Sequence, residues 1–201
     1  WQQGIEWDTS FPAVNTLESI ERKALRNQLD KSINAPLTSS MGRFFDAVSA
    51  LIGICETVNY EAQAAIELEA ITDSNENGFY PFEIQNDSPI IGLKAFWEAL
   101  VTDLEAGTSQ NIIAARFHNS LVQLQLDICK NLRQKHDINT VVLSGGVWAN
   151  QYLLKKSIKL LEANGFEILT HHRVPCNDGG ISLGQLLIAA EQLKHNRNER
   201  N

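Results

Sequence analysis

Two glycine-rich segments contain the residues best suited to chemistry. Residues 143–150 (LSGGVWAN) follow an apolar run, and residues 174–185 (VPCNDGGISLGQ) follow another. Each segment lies between a predicted strand and a predicted helix. Glycine allows a positive φ and a close approach of the backbone to a ligand, and the amides at a helix N-terminus favour an anion. Two such turns at one edge of a sheet predict a nucleotide-binding crevice.

Three polar side chains are candidates to act with the glycines Gly145 and Gly146. Asn150 can hydrogen-bond a base or ribose edge, or it can cap the helix that it precedes. Asp178 follows a strand and precedes two glycines, so its carboxylate can bind a divalent ion, although Asp-Gly is also a common turn. Asp46 interrupts the apolar run of residues 44–48. If it is buried there, the carboxylate needs a partner or a ligand; the alternative is an exposed aspartate on the helix surface.

The elements that position these residues are mostly helical. Periodicity and turn residues predict helices over 17–29 with Thr16 as cap, 43–52, 61–71, 94–104, 109–135, 149–164 and 180–193. Strands are predicted over 79–84, 89–93, 140–143 and 166–170, with a turn at 86–89. The last two strands each lead through a turn into a helix, which favours parallel pairing. The predicted class is α/β with a large helical portion.

Composition excludes several classes of function. The net charge of −7 argues against a nucleic-acid partner, which requires clustered Lys and Arg. No apolar run approaches the roughly 18 residues of a membrane span. The three cysteines lack CxxC spacing, which favours a reducing, cytoplasmic setting. Because the chain begins at Trp1, we expect it to be a piece of a longer protein.

Five segments resemble the C-terminal part of the HypF carbamoyltransferase family, in the order in which the family has them. They are residues 40–53 (SMGRFFDAVSALIG), 60–69 (YEAQAAIELE), 116–119 (RFHN), 143–150 and 174–185. The resemblance implies the second lobe of an actin-like (ribonuclease H-like) ATPase fold. It places the C-terminal half of a carbamoyltransferase domain at 16–194, between an irregular lead-in at 1–15 and a polar, frayed tail at 195–201.

The resemblance also implies a reaction and a set of ligands. The family uses ATP and carbamoyl phosphate to make carbamoyl-adenylate, and it passes the carbamoyl group to the C-terminal cysteine of a HypE-like partner in nickel–iron hydrogenase maturation. The implied nucleotide-binding residues are Asp46 on the ribose, Gly145, Gly146 and Asn150 beside the base, and Gln63 on a neighbouring turn. Glu67 either reaches the nucleotide or lies on a solvated face.

The implied metal, iron or zinc, is held in the family by an HxxxH motif and the aspartate that corresponds to Asp178. This sequence departs from the pattern, because none of its five histidines has HxxxH spacing. Ala62 also stands where the family usually has glycine, and Cys176 where it has proline. The 201 residues alone are therefore predicted to be nearly metal-free and without carbamoyltransferase turnover. No general base can be named from the sequence.

Three other functions remain open. The chain could bind adenine nucleotide without turnover, transfer carbamoyl groups to a small-molecule hydroxyl, or belong to a sugar kinase of the same superfold. His171 and His172 are poor candidates for a shared metal, because adjacent strand residues point to opposite faces. His118 is predicted to be structural, and the cysteines are predicted to be inert.

Overall fold

A computed structural model describes residues 7, 11–84 and 90–198, without the side chains of 194–198. The chain divides into two compact units, Trp1–Asn131 and Leu132–Asn201. The helices are α1 (Pro12–Asn15), α2 (Ser19–Asp30), α3 (Met41–Leu51), α4 (Gln63–Ala70), α5 (Lys94–Glu105), α6 (Gln110–His136), α7 (Gln151–Ala163) and α8 (Ile181–Asn198). The strands are β1 (Glu83–Ile84), β2 (Ile91–Gly92), β3 (Thr140–Leu143) and β4 (Glu167–Thr170).

The N-terminal cap of α2 differs from the prediction. Glu18 occupies the cap position, and its amide donates to the Glu21 carboxylate at 2.8 Å. Thr16 is not the cap, because its hydroxyl donates to the Ala13 carbonyl at 3.3 Å. A glutamate three residues past the cap can satisfy the backbone N–H of the cap residue, which places the helix start at Ser19.

The bounds of α1, α8, β1 and β2 also differ from the sequence-based expectations. Helix α1 interrupts the lead-in that was expected to be irregular, and it begins at Pro12, where a missing N–H is tolerated. Helix α8 continues to Asn198, so the backbone of the expected frayed tail is helical as far as that residue. The predicted strands over 79–84 and 89–93 shorten to β1 and β2, which pair antiparallel. The predicted turn at 86–89 lies outside the described residues.

Aromatic residues from three helices form the core of the first unit. Phe45 of α3, Phe96 of α5 and Phe117 of α6 are fully buried. The rings of Phe45 and Phe117 lie 4.8 Å apart, and Phe44 lies 4.9 Å from Phe96. Edge-on and tilted contacts of this kind add to the free energy gained by burial. This cluster fixes α3, and with it the residues around Asp46.

His118 belongs to the same core and has a structural role, as predicted. Its side chain is fully buried, its Nδ1 lies 2.7 Å from the Ala114 carbonyl, and its ring packs edge-on against Phe45 and Phe117. A buried histidine with a backbone partner needs no ligand to account for its position.

An ionic network joins α5 and α6 to the loop before β1. Both carboxylate oxygens of Asp103 accept from Arg116 Nη1, at 2.9 and 2.7 Å, and Oδ2 also accepts from the Tyr80 hydroxyl at 2.7 Å. Burial alone would raise the pKa of Asp103, but these hydrogen bonds outweigh it and lower the pKa. The charged form of Asp103 therefore stabilises the folded first unit.

This network makes a prediction about acid stability. Because the folded pKa of Asp103 is lowered, its contribution is fully present above the unfolded pKa of about 3.9 and is lost as pH falls through the folded value. We expect Asp103→Asn to lower the free energy of unfolding at pH 7 by about 1–3 kcal/mol, and to lower it less near pH 3. Urea denaturation followed by circular dichroism at both pH values measures this.

The control is Glu98→Gln on the same helix. Glu98 pairs with Lys94 at 3.8 Å, and both side chains are more than half exposed. We expect this change to cost no more than about 0.5 kcal/mol at either pH. Equal effects of the two substitutions would contradict the assignment of acid sensitivity to Asp103.

The second unit contains a parallel strand pair covered by one helix, which confirms the predicted strand–turn–helix arrangement. β3 and β4 pair in parallel with Thr140 opposite Glu167 and Leu143 opposite Thr170. Leu153 and Leu161 of α7 are buried with Leu143. Parallel strands end at the same edge, so the residues after β3 and β4 become neighbours.

Helix α8 carries apolar side chains that are exposed. All side chains of residues 181–193 are exposed, including Leu186 at 65% and Leu187 at 62%. Val142 and Leu169, which are paired across β3 and β4, are also exposed. Among the helices of residues 7, 11–84 and 90–198, none has the length and apolar character to cross a bilayer.

Candidate nucleotide-binding site

The two predicted turns lie side by side in the second unit. The Gly145 amide, just past the end of β3, donates to the Cys176 carbonyl, in the segment after β4, at 2.7 Å. This hydrogen bond crosses between the two glycine-rich segments and holds them together. We call the backbone around Gly145, Gly146 and residues 176–180 the glycine corner.

Gly145 and Gly146 differ in whether the fold requires a glycine at that position. Gly145 has φ +106° and ψ 160°, a conformation that is essentially restricted to glycine. Gly146 has no positive φ. A Cβ on Gly146 would meet only Asn177 Cβ, at 3.9 Å, which is an ordinary contact. The fold therefore requires glycine at 145, whereas at 146 there is space for a side chain or for a ligand.

The second segment is a tight turn that exposes Asp178. The Asn177 side-chain Oδ1 accepts a hydrogen bond from the Gly179 backbone amide at 3.1 Å. The backbone carbonyl of Asn177 accepts one from the Gly180 amide at 3.0 Å. A Cβ on Gly180 would lie 2.9 Å from the Pro175 carbonyl, so that position has no room for a side chain. Asp178 begins a short 3₁₀ helix at Asp178–Gly180, and its side chain is exposed.

Asn150 has the capping role that the sequence left open. Its Oδ1 accepts from the Leu153 amide at 2.8 Å, and the residue is buried at 8% exposure. It is the N-cap of α7, which follows the 3₁₀ helix Gly146–Ala149. The cap fixes the start of α7 directly after the glycine corner.

The described residues do not form a metal site by themselves. Within residues 7, 11–84 and 90–198, no group of three or more His, Cys, Asp or Glu side chains could hold an ion. Asp178 would supply one carboxylate, whereas a tightly held divalent ion takes at least three protein ligands. The donor set of the described residues does not fit a complete centre.

Asp46 is the exposed alternative rather than a buried carboxylate. Its side chain is 41% exposed, and its Oδ2 lies 3.9 Å from Arg43 Nη1 on the same helix. The flanking Phe45 and Val48 are buried, which leaves Asp46 at the edge of the apolar face of α3. Burial therefore does not by itself require a ligand for this carboxylate. Its exposure makes it accessible to one.

Gln63 and Glu67 form a polar pair on α4, beside Cys55. Gln63 Nε2 donates to Glu67 Oε1 at 2.7 Å, and Gln63 Oε1 accepts from the Asn59 amide at 2.7 Å. Burial raises the pKa of the Cys55 thiol, and the Glu67 and Asp46 carboxylates raise it further. Cys55 is therefore protonated at neutral pH, and both Glu67 and Asp46 interact with it electrostatically.

Ala62 has a strained backbone that a glycine would relieve. It precedes α4 with φ +63° and ψ 11°, in the left-handed region. A Cβ in that region costs roughly 1–2 kcal/mol. This position therefore has a conformation suited to the glycine that the resemblance led us to expect.

We predict that Ala62→Gly stabilises the chain by about 0.5–1 kcal/mol, since the relief of strain exceeds the added unfolded-state entropy. Ala64→Gly, inside the same helix, is the matched control and should destabilise by about 1 kcal/mol. Urea denaturation measures both. Destabilisation by both variants would show that the left-handed conformation at 62 carries no strain.

Sequence reasoning missed a contact between Ser144 and His171. These residues directly follow β3 and β4, and Ser144 Oγ lies 2.8 Å from His171 Nε2. The signal was available in the strand register, because Leu143 opposite Thr170 places the next residues together. The sequence raised His171 only as a possible metal ligand. Its hydrogen bond to Ser144 does not support that role.

Comparison with known proteins decides the family. Residues 2–185 match the family model described as the carbamoyltransferase Kae1-like domain, second subdomain. The chain belongs to the HypF carbamoyltransferase family. The predicted family and the predicted lobe of an actin-like ATPase fold are thereby confirmed.

Individual HypF relatives agree with this. The chain is 40% identical to carbamoyltransferase HypF of Synechocystis over 85% of its length, and 37% identical to that of Rhodobacter capsulatus over 94%. It superimposes with a TM-score of 0.83 on full-length HypF crystallised in a phosphate- and nucleotide-bound form, with 41% identity over 90% of this chain and 24% of that one. The chain spans 22% and 24% of the two curated relatives.

Proposed function

We propose that this chain is the adenylate-binding part of an ATP-dependent carbamoyltransferase. The whole enzyme would pass a carbamoyl group from carbamoyl-adenylate to the C-terminal cysteine of a HypE-like acceptor in nickel–iron hydrogenase maturation. The observation that carries the proposal is the glycine corner, where the Gly145–Cys176 hydrogen bond joins two segments and leaves open space at Gly146.

The second unit would hold the base and ribose at this corner. The open side of Gly146 allows a planar base to approach the backbone. Asn150 lies at the start of α7, directly after the short helix that begins at Gly146. A nucleotide-bound structure of a HypF relative supports this class of ligand.

The first unit would supply acceptors for hydroxyl groups. Asp46 is accessible at the edge of α3, and it raises the pKa of the Cys55 thiol, as does Glu67, which accepts a hydrogen bond from Gln63. A carboxylate accepts hydrogen bonds from ribose hydroxyls without losing its charge. The family resemblance is the ground on which Asp46 is proposed as a ribose contact and Gln63 as a further nucleotide contact.

These residues would contribute to the transfer step mainly by positioning the carbamoyl-adenylate. The acceptor thiolate attacks the carbamoyl carbon and forms a C–S bond, while the bond from that carbon to the phosphate oxygen breaks and AMP leaves with its electron pair. Holding adenosine at the glycine corner orients the carbamoyl carbon for attack. The thiolate comes from the partner, so the chain need not contribute a nucleophile.

Isothermal titration calorimetry with AMP and ATP tests the binding proposal. We expect weak binding by the chain, and a further loss of about tenfold or more in Asp46→Ala, because hydrogen bonds to charged groups contribute about 1.5–3 kcal/mol. Asp30→Ala, at the exposed end of α2, is the control and should bind like the parent chain. Absence of binding at millimolar nucleotide would overturn the proposal.

Testing which acceptor takes the carbamoyl group requires a longer protein than this chain. A chimaera in which this chain replaces the corresponding segment of Synechocystis HypF can be supplied with ATP and carbamoyl phosphate. We expect transfer to a peptide that ends in cysteine and none to the same peptide ending in serine. Preference for the hydroxyl would favour a small-molecule O-carbamoyltransferase instead.

A further inference from the structure

The pair Ser144–His171 lies at the strand ends and has no part in the adenosine contacts proposed above. Both side chains are exposed, and their Oγ and Nε2 atoms are 2.8 Å apart. Ser144 immediately precedes Gly145, whose amide bonds to Cys176. The pair therefore borders the glycine corner from the side of the two strands.

The chemistry of the pair suits a phosphoryl group. A serine hydroxyl and an imidazole N–H are both hydrogen-bond donors. The segment from His171 to Arg173 is exposed, and it concentrates basic side chains in a protein with a net charge of −7. Donors that carry charge bind anionic oxygens roughly twice as strongly as neutral donors do.

We propose that Ser144 and His171 form a phosphoryl-binding site beside the glycine corner. The group bound there is either the phosphate of the adenine nucleotide or a free phosphate such as that of carbamoyl phosphate. The nucleotide case rests on the proposed function, whereas the free-phosphate case does not. On ligand binding, the Ser144 hydroxyl and the His171 N–H donate to phosphoryl oxygens.

The competing explanation is that the Ser144–His171 hydrogen bond has only a structural role, joining the ends of β3 and β4. In that case it would stabilise the strand ends, and neither residue would bind phosphate. His172 provides a matched control, because it is the adjacent exposed histidine and its Nε2 lies 3.2 Å from Thr170 Oγ1. General attraction of anions to this segment would affect both histidines equally, whereas a site would affect His171 alone.

The first experiment titrates inorganic phosphate into the chain and follows the imidazole C–H signals by NMR at constant pH and ionic strength. We expect a saturable shift of the His171 signals, its loss in Ser144→Ala, and little change at His172. No shift at His171, or equal shifts at both histidines, would overturn the proposal. This readout does not depend on nucleotide binding.

The second experiment separates the two sources of phosphate. Calorimetry compares AMP with adenosine for the parent chain, His171→Ala and His172→Ala, with thermal melting to confirm folding. If the site holds the nucleotide phosphate, the preference for AMP falls about tenfold in His171→Ala only. A phosphate-induced shift with an unchanged AMP preference assigns the site to a free phosphate.

Failure of the proposed function is distinguishable from failure of this inference. If neither adenosine nor AMP binds, the adenylate proposal fails, while a phosphate shift at His171 would still establish the site. If adenosine binds but His171 responds neither to inorganic phosphate nor in the AMP comparison, only the phosphoryl site is overturned.

Discussion

Gly146→Val should reduce affinity for AMP by at least about 100-fold, equivalent to about 2.7 kcal/mol, while the far-UV circular dichroism stays unchanged. The reason is the asymmetry between the two glycines. Gly146 has no positive φ, and a Cβ there makes only an ordinary contact with Asn177. A valine side chain would therefore fit the fold and extend into the space proposed for the base. Calorimetry and circular dichroism measure the two halves of this prediction.

Gly145→Ala is the informative counterpart. With φ +106°, this position strains any other residue, so we expect this variant to lose stability as well as binding. If Gly146→Val binds AMP as the parent chain does, the glycine at 146 is only part of a turn. In that case the base must lie elsewhere.

Asp178→Ala should remove the bound metal from the chimaera with Synechocystis HypF. By resemblance, the HxxxH histidines of the family would come from the Synechocystis portion, and Asp178 would complete the set from an exposed position at the glycine corner. A carboxylate lost from a set of three leaves too few ligands for tight binding. Metal content per chain, measured by mass spectrometry of the purified protein, should fall from near one to near zero.

Asp127→Ala is the control for this measurement. Asp127 lies on α6 and accepts a hydrogen bond from Gln123, so it is an acidic residue outside the glycine corner. We expect its metal content to equal that of the parent chimaera. Equal content in Asp178→Ala would refute a ligand role for Asp178.

The sequence predicted the features that are coded locally. Glycines and an asparagine placed the turns after residues 143 and 170, and apolar periodicity placed most helices, because both signals act over a few residues. The parallel pairing followed from the same local pattern. The glycine corner was therefore predictable from the sequence.

The errors concern properties that depend on packing. The apolar sequence neighbours of Asp46 favoured a buried carboxylate, but the position of α5 and α6 decides which side of α3 is covered. Thr16 is a good cap by type, yet the Glu18–Glu21 pairing places the cap two residues later. The predicted strand at 79–84 shortened to two residues. Before β1, the Tyr80 amide donates to Ser120 Oγ and the Tyr80 hydroxyl to Asp103 Oδ2, both at 2.7 Å.

The Ser144–His171 pair is an intermediate case. Ser144 lies in the first glycine-rich segment, but His171 belongs to no recognised motif, and the two residues are far apart in the sequence. Their contact follows only when β3 and β4 are aligned in register, which is a non-local fact. Aligning predicted parallel strands by their ends would have identified the pair.

The apolar residues of the second unit fall into a buried class and an exposed class. The exposed class comprises the apolar side chains of α8 and the paired Val142 and Leu169. Leu143, Leu153 and Leu161 are already removed from water, and the free energy of burying them contributes to folding at any protein concentration. The exposed class contributes nothing until another surface covers it, at about 25 cal/mol per Å² of apolar area. The thermal midpoint of this unit should therefore depend on what is dissolved with it, because association that favours the folded form shifts the equilibrium by mass action.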